Sequence, residues 1–139
     1  MGHEAAGLGV GPELPPTTRR IGLHVSTSQL AVDTTTAWLR ILMFKDDLEL
    51  ALAARAGVES LSLEPSAEHD ALFLDYFNEA FGLRLNGTEP IRGIEIRNEI
   101  LYEQFRDQRN IVRVLHVPTE KRKTLYFVAP DGGWGTVEW

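Results

Sequence analysis

Apolar and polar residues alternate from Ile21 to Val32. Ile21, Leu23 and Val25 fall on one face and His24, Ser26 and Ser28 on the other, which Leu30 and Val32 then join. Alternation with period two predicts a strand, and the change of face predicts a bulge or switch within it. Asp33-Thr34-Thr35 reads as a turn. Residues 36–44 read as a second strand, with Trp38, Leu42 and Phe44 opposite Leu39, Ile41 and Met43. Apolar groups on both faces predict a strand covered on both sides, and the short connection predicts an antiparallel hairpin.

The period changes at Lys45-Asp46-Asp47. Asp46 suits a helix cap, with Glu49 as the other half of a capping box, and Gly57 supplies the stop, so a helix is predicted over 46–56. Residues 58–64 fit a brief strand or a loop. Ser66 caps a second predicted helix over 67–81, with Glu68 and Asp70 in its first turn, where the helix dipole favours acids. Phe73, Leu74, Phe77, Ala80 and Phe81 share a stripe, which reads as core, and Gly82 ends the helix.

Asn86-Gly87 favours a tight turn, since both residues accept positive φ. Residues 91–97 alternate again. Asn98 suits a cap on a single helical turn around 99–105 that buries Ile100, Leu101 and Phe105. Residues 111–117 and 123–129 are β-branched and aromatic strands, Pro130 to Gly133 turn the chain, and Trp134 to Trp139 alternate and close the sheet. The order predicts an α+β domain, mainly an antiparallel β-sandwich-like sheet with two helices inserted after the first hairpin. Residues 1–20 hold four glycines and three prolines and have little to bury, so they read as a flexible lead to a single domain over 21–139. That lead lacks the apolar core of a secretory signal.

Composition narrows the function classes. The 139 residues carry 20 acids, 14 bases and no cysteine. The missing cysteines exclude a disulfide framework, a thiol nucleophile and a thiolate metal site. The net charge of −6 argues against nucleic acid as a partner, and no apolar run is long enough to span a membrane. The acidity is local: residues 41–89 hold ten acids and three bases, whereas residues 90–139 hold seven and eight.

Four histidines, His3, His24, His69 and His116, raise the question of a metal. His24 and His116 each sit on a predicted strand, and with Asp46 and Asp47 they would make a mixed nitrogen–oxygen site suited to zinc. Ordinary strand histidines and a helix cap account for the same residues without a ligand. Serine nucleophiles lack a matching base, since Ser26 and Ser28 share a strand face with His24 without their heads meeting, and no nucleophile elbow occurs. Lys121-Arg122-Lys123 falls in a hairpin, where it suits a solvated turn or a guard on an edge strand.

Two stretches carry a resemblance. One is His24 to Leu30 followed by Arg40 to Leu52, with its Phe44-Lys45-Asp46-Asp47-Leu48-Glu49 element. The other is Asn98 to Val112, with Asp107-Gln108-Arg109-Asn110, followed by Lys121 to Leu125. Over residues 21–139 the chain resembles an uncharacterised family of small exported bacterial proteins, domain of unknown function 6702. The resemblance implies a β-sandwich-like domain with a helical insertion, working in the periplasm or elsewhere outside the cytoplasm. A chain that truly starts at Met1 would instead stay in the cytoplasm. It implies no cofactor. Its motif positions are His24, Asp46, Asp47, Asn98, Asp107, Gln108 and Asn110. Members of the family carry about two more strands between the Asn-Gly turn and the segment matching Asn98 onward. Here only ten residues separate Gly87 from Asn98. A missing hairpin leaves a sheet edge for a protein partner or for self-association. The resulting expectation is a non-catalytic extracytoplasmic accessory or protein-interaction domain. The alternative is a metal- or small-ligand-binding protein using His24, Asp46, Asp47 and His116, and a hydrolase ranks last.

Overall fold

The computed structural model describes residues 24–139. The lead over 1–20, and the start of the first predicted strand, lie outside them. Strands β1 (Val25–Val32) and β2 (Ala37–Met43) form the expected antiparallel hairpin, with Val32 opposite Ala37 across a turn in which the Asp33 N–H donates to the Thr36 carbonyl. Helices α1 (Lys45–Ala56) and α2 (Ala67–Ala80) follow, and then β3 (Phe81–Asn86), β4 (Gly93–Asn98), β5 (Arg109–His116), β6 (Lys121–Val128) and β7 (Gly135–Glu138). Two sheets result, in the orders β2-β1-β5-β6 and β3-β4-β7. The fold is α+β and sheet-rich, with both helices inserted after the first hairpin.

One pairing departs from the antiparallel expectation. β5 lies beside β1 in parallel, in an unbroken register from Val25↔Arg109 to Val32↔His116. Equally unbroken pairing of β1 with β2 leaves no bulge or switch in β1. Its inward face is Ser26, Ser28, Leu30 and Val32, all buried, so two serines occupy core positions. The change of face read from the sequence disappears once those serines count as interior residues. β2 is covered on one side only, and Trp38 stands half-exposed on the other.

Side chains of both sheets and both helices share one core. Leu30, Val32, Ile41, Val112 and Val114 come from the larger sheet, Ile94, Ile96 and Val137 from the smaller, Leu48 and Leu52 from α1, and Phe73 and Tyr76 from α2. Removing such side chains from water is the main stabilising term. α1 docks on α2, where the Arg55 guanidinium meets Glu79 at 2.6 Å and Asp75 at 3.8 Å.

The caps sort into kept and altered. Gly57 ends α1 at φ +72°, and Ser66 caps α2 by accepting the His69 N–H at 3.0 Å. α1, however, is preceded by Phe44 without a side-chain cap. Asp46 and Asp47 sit in its first turn, and the Glu49 carboxylate accepts the Leu63 N–H at 2.7 Å instead of closing a capping box. That bond holds the 58–64 connection, which is a loop. Gly82 does not stop α2, because Phe81 already begins β3. It clears space: a Cβ there would lie 2.5 Å from Trp134 Cη2. The indole packs over Gly82 beneath the Arg84 guanidinium, 3.7 Å from the ring centroid. The Asn86-Gly87 turn is wider than a two-residue hairpin. Gly87 takes φ +84°, and the loop closes where the Arg92 N–H donates to the Asn86 carbonyl.

Candidate functional site

The parallel register of β1 and β5 places the start of both strands at one end of the larger sheet. His24 lies just before β1, and its carbonyl accepts the Arg109 N–H at 3.0 Å. Its ring stacks on Phe105, with centroids 3.8 Å apart and planes 7° from parallel. Nδ1 lies 2.7 Å from Asp107 Oδ1. A histidine oriented by a carboxylate is half of a nucleophilic triad. The nearest serine on the same strand, Ser26, does not complete it, because its buried hydroxyl donates to Asn110 Oδ1 at 2.6 Å.

Asn110 is the hub of this end. It is fully buried and makes four hydrogen bonds. Oδ1 accepts from Ser26 and from Gln108 Nε2 at 2.9 Å, while Nδ2 donates to the Ile100 carbonyl at 2.9 Å and the Asn98 carbonyl at 3.3 Å. One amide thereby ties β1 and β5 of one sheet to the end of β4 in the other. Asn98 Oδ1 in turn accepts the Ile100 N–H at 3.3 Å. The chain over 99–105 is turns instead of the expected single helical turn, and Ile100 and Leu101 are buried within it. Both polar atoms of the Asn110 amide are paired, whereas Asn98 Nδ2 and Gln108 Oε1 are buried without a partner, so the bracing is centred on Asn110.

The structure brings His24, Asn98, Asp107, Gln108 and Asn110 together. Asp46 and Asp47 reach the same end of the sheet, because Met43, just ahead of α1, is opposite Ser26. His116 does not join them. In parallel register it stands opposite Val32, at the far end of β1, roughly 26 Å along the strand from the level of His24 at about 3.3 Å per residue. Ligands of one ion lie near 2 Å from it. His24, Asp46, Asp47 and His116 therefore do not form a common metal site, and no group of three or more histidine, aspartate or glutamate side chains among the described residues is arranged to hold a metal.

The far end has its own constellation. The His116 ring is buried, stacks on Trp139 with centroids 4.2 Å apart, and sets Nδ1 2.7 Å from Thr119 Oγ1. Trp139 Nε1 donates to the Ile91 carbonyl, which pins the indole. Burial pushes the His116 pKa below the ordinary histidine value, Asp33 opposes that shift, and Lys121 adds to it. The unfolded chain therefore takes up a proton at His116 at a higher pH than the fold does. Stability from this residue is present above about pH 6.5 and is lost as the pH falls through the lower folded-state value. Thermal melts are expected to drop further for wild type than for His116→Gln between about pH 7.5 and pH 5. Parallel curves for the two proteins would show that His116 contributes nothing to the acid loss.

Beside His116, the two sheets part. Gly135 of β7 is close against Leu125 and Phe127 of β6 at one end, as a Cβ on it would lie 3.2 Å from Leu125 Cδ1. Toward the other end a groove of about 260 Å³ opens between the strands, lined by Val114, Lys121, Lys123, Val137, Glu138 and Trp139 among others. Register explains the opening. Lys123 is opposite Val114 and Lys121 is opposite His116, so both lysines belong to the inward face of β6. Two ammonium groups resist burial, and the sheets stay apart there.

A second, wider cleft of about 630 Å³ lies between the C-terminal parts of α1 and α2 and the 99–103 turn. Tyr76 projects from α2 into the turn. Its hydroxyl donates to Glu103 Oε2 at 2.8 Å and accepts the Leu101 N–H at 2.7 Å. Burial, then Glu103, raises its pKa strongly, and it stays a neutral donor. The Tyr102 hydroxyl is pushed up to about 12 by burial and by nearby Glu99 and Asp131. The sequence reading missed Tyr76, whose position one residue ahead of Phe77 gave no periodic signal of a buried anchor. It also missed the inward lysines, which follow only from the pairing register. No family model, no curated protein and no solved structure matches the chain in comparisons with known proteins.

Proposed function

We propose that the chain is a non-catalytic accessory or protein-interaction domain, working outside the cytoplasm, that meets its partner along the open edge of β6. The observation that carries this reading is the position of β6 at the end of the sheet order, paired with β5 on one side only. An edge strand presents N–H and C=O groups that another chain can pair with. Tyr126 is 71% exposed and Val128 43% exposed on its outer face, which adds apolar contact area to that edge. The extracytoplasmic setting rests on the resemblance to small exported bacterial proteins.

A photo-crosslinking benzophenone side chain at Tyr126 tests this reading in cells of the source organism. The expected result is one or a few discrete adducts in the extracytoplasmic fraction that do not form from exposed Glu59, in the loop after α1. No adduct, or the same adducts from both positions, would overturn the interaction reading. Adducts confined to the cytoplasmic fraction would overturn the compartment.

A further inference from the structure

The edge of β6 and the groove beside it are one continuous surface, and their chemistry names a kind of partner. We propose that an extended acidic segment of another polypeptide adds to β6 as a strand and sets a carboxylate side chain beside Lys121 and Lys123. This rests on the edge-binding reading and goes further by stating what binds.

The Ala129 N–H donates to the Gln108 carbonyl. In an antiparallel ladder, residues alternate between those bonded to the neighbour and those turned away. Phe127, Leu125, Lys123 and Lys121 therefore bond β5, while Arg122, Thr124, Tyr126 and Val128 turn their backbone groups to the open edge. The Val128 carbonyl fits this parity, since it accepts the Asp131 N–H outside the ladder. Asp131 thereby closes one end of the edge. Arg122, Thr124 and Tyr126 remain as the stretch available to a new strand.

An added strand beside β6 continues the larger sheet, so every second side chain of it faces the groove between the sheets. Lys121, Lys123 and Arg122 line that groove against one acid, Glu138. Val114, Val137 and Trp139 supply apolar walls. A carboxylate entering there would meet ammonium groups that stay exposed to water, so the charges favour an acidic partner over a neutral or basic one, and salt weakens the attraction. A second copy of this chain is a poor occupant. Its own β6 edge carries the same three bases, and its acidity lies mainly in residues 41–89, which include both helices.

The test uses the purified full chain and three capped octapeptides of alternating sequence: threonine with glutamate, threonine with glutamine, and threonine with lysine. Binding is followed by amide chemical shifts and hydrogen exchange. The glutamate peptide is expected to bind saturably and to slow exchange at Arg122, Thr124 and Tyr126. Reversal of both lysines, Lys121→Glu with Lys123→Glu, is expected to weaken it at least about tenfold, and Glu138→Gln to tighten it. Both changes lie on exposed positions. Equal binding of all three peptides would overturn the acidic preference while leaving the edge reading in place. Glutarate binding as tightly as the peptide would overturn strand addition. No binding of the glutamate peptide would overturn this proposal, with the Tyr126 crosslinks still deciding the broader one.

Discussion

Asn110→Asp is expected to unfold most of the protein at room temperature. The substitution keeps the oxygen that accepts from Ser26 and Gln108. It replaces the amide nitrogen, which donates to the Asn98 and Ile100 carbonyls, with a second oxygen. Two buried carbonyls then face an acceptor instead of a donor, and a charge is placed at a fully buried site. Each buried group left unpaired costs about 1–3 kcal/mol, so roughly 4 kcal/mol or more is lost before the charge is counted. Domains of this size hold only about 5–15 kcal/mol in total. Ser26→Ala removes a single bond from the same hub, and Asn110 Oδ1 still accepts from Gln108. It should cost about 1 kcal/mol. Urea melts of the two variants decide the matter: similar midpoints would mean that Asn110 does not join the sheets.

Tyr76→Phe is expected to lose about 1–3 kcal/mol, seen as a lower urea midpoint with an unchanged slope. The phenol sits between a helix and a turn. Without it, the buried Leu101 N–H has no acceptor, whereas Glu103, which is exposed, can turn to water. Leu101 holds φ +66°, a left-handed conformation that disfavours a leucine, and its side chain is fully buried. Tyr76 and that burial together hold the residue there. Exchange of the Leu101 amide is therefore expected to quicken beyond the global loss of stability. A variant whose Leu101 exchange tracks global unfolding would show that Tyr76 packs against the turn without holding it.

Local signals in the sequence reached the hairpin, both helices and most strand positions, because each announces itself within a few residues. Alternation marks β4, and Gly57 and Ser66 mark helix ends through backbone conformation and a side-chain cap. Misreadings share a cause: a residue's partner lay far along the chain. The serines of β1 look solvent-facing until Asn110, 84 residues away, is set opposite Ser26. Glu49 looks like a capping-box acid until the loop at Leu63 folds back to it. Gly82 looks like a helix stop until Trp134 comes to rest on it. The candidate site divides the same way. The residues at the His24 end were legible as motif positions, but their role as a brace was not. His116 and His24 looked equivalent on two strands, and only a parallel register shows them to be at opposite ends.

That parallel register also governs the order in which the protein can be assembled during synthesis. β1 and β2 are neighbours in sequence and can pair as soon as both have been made. The partner for the other side of β1 is β5, which begins at Arg109, after both helices and two further strands. Until then β1 keeps one flank unfilled, and Ser26 lacks the amide that accepts its hydroxyl. Pairings between distant segments slow folding and prolong the exposure of unpaired strands. β1, an inner strand of the finished sheet, thus waits for its second neighbour until residues 109–116 have been made.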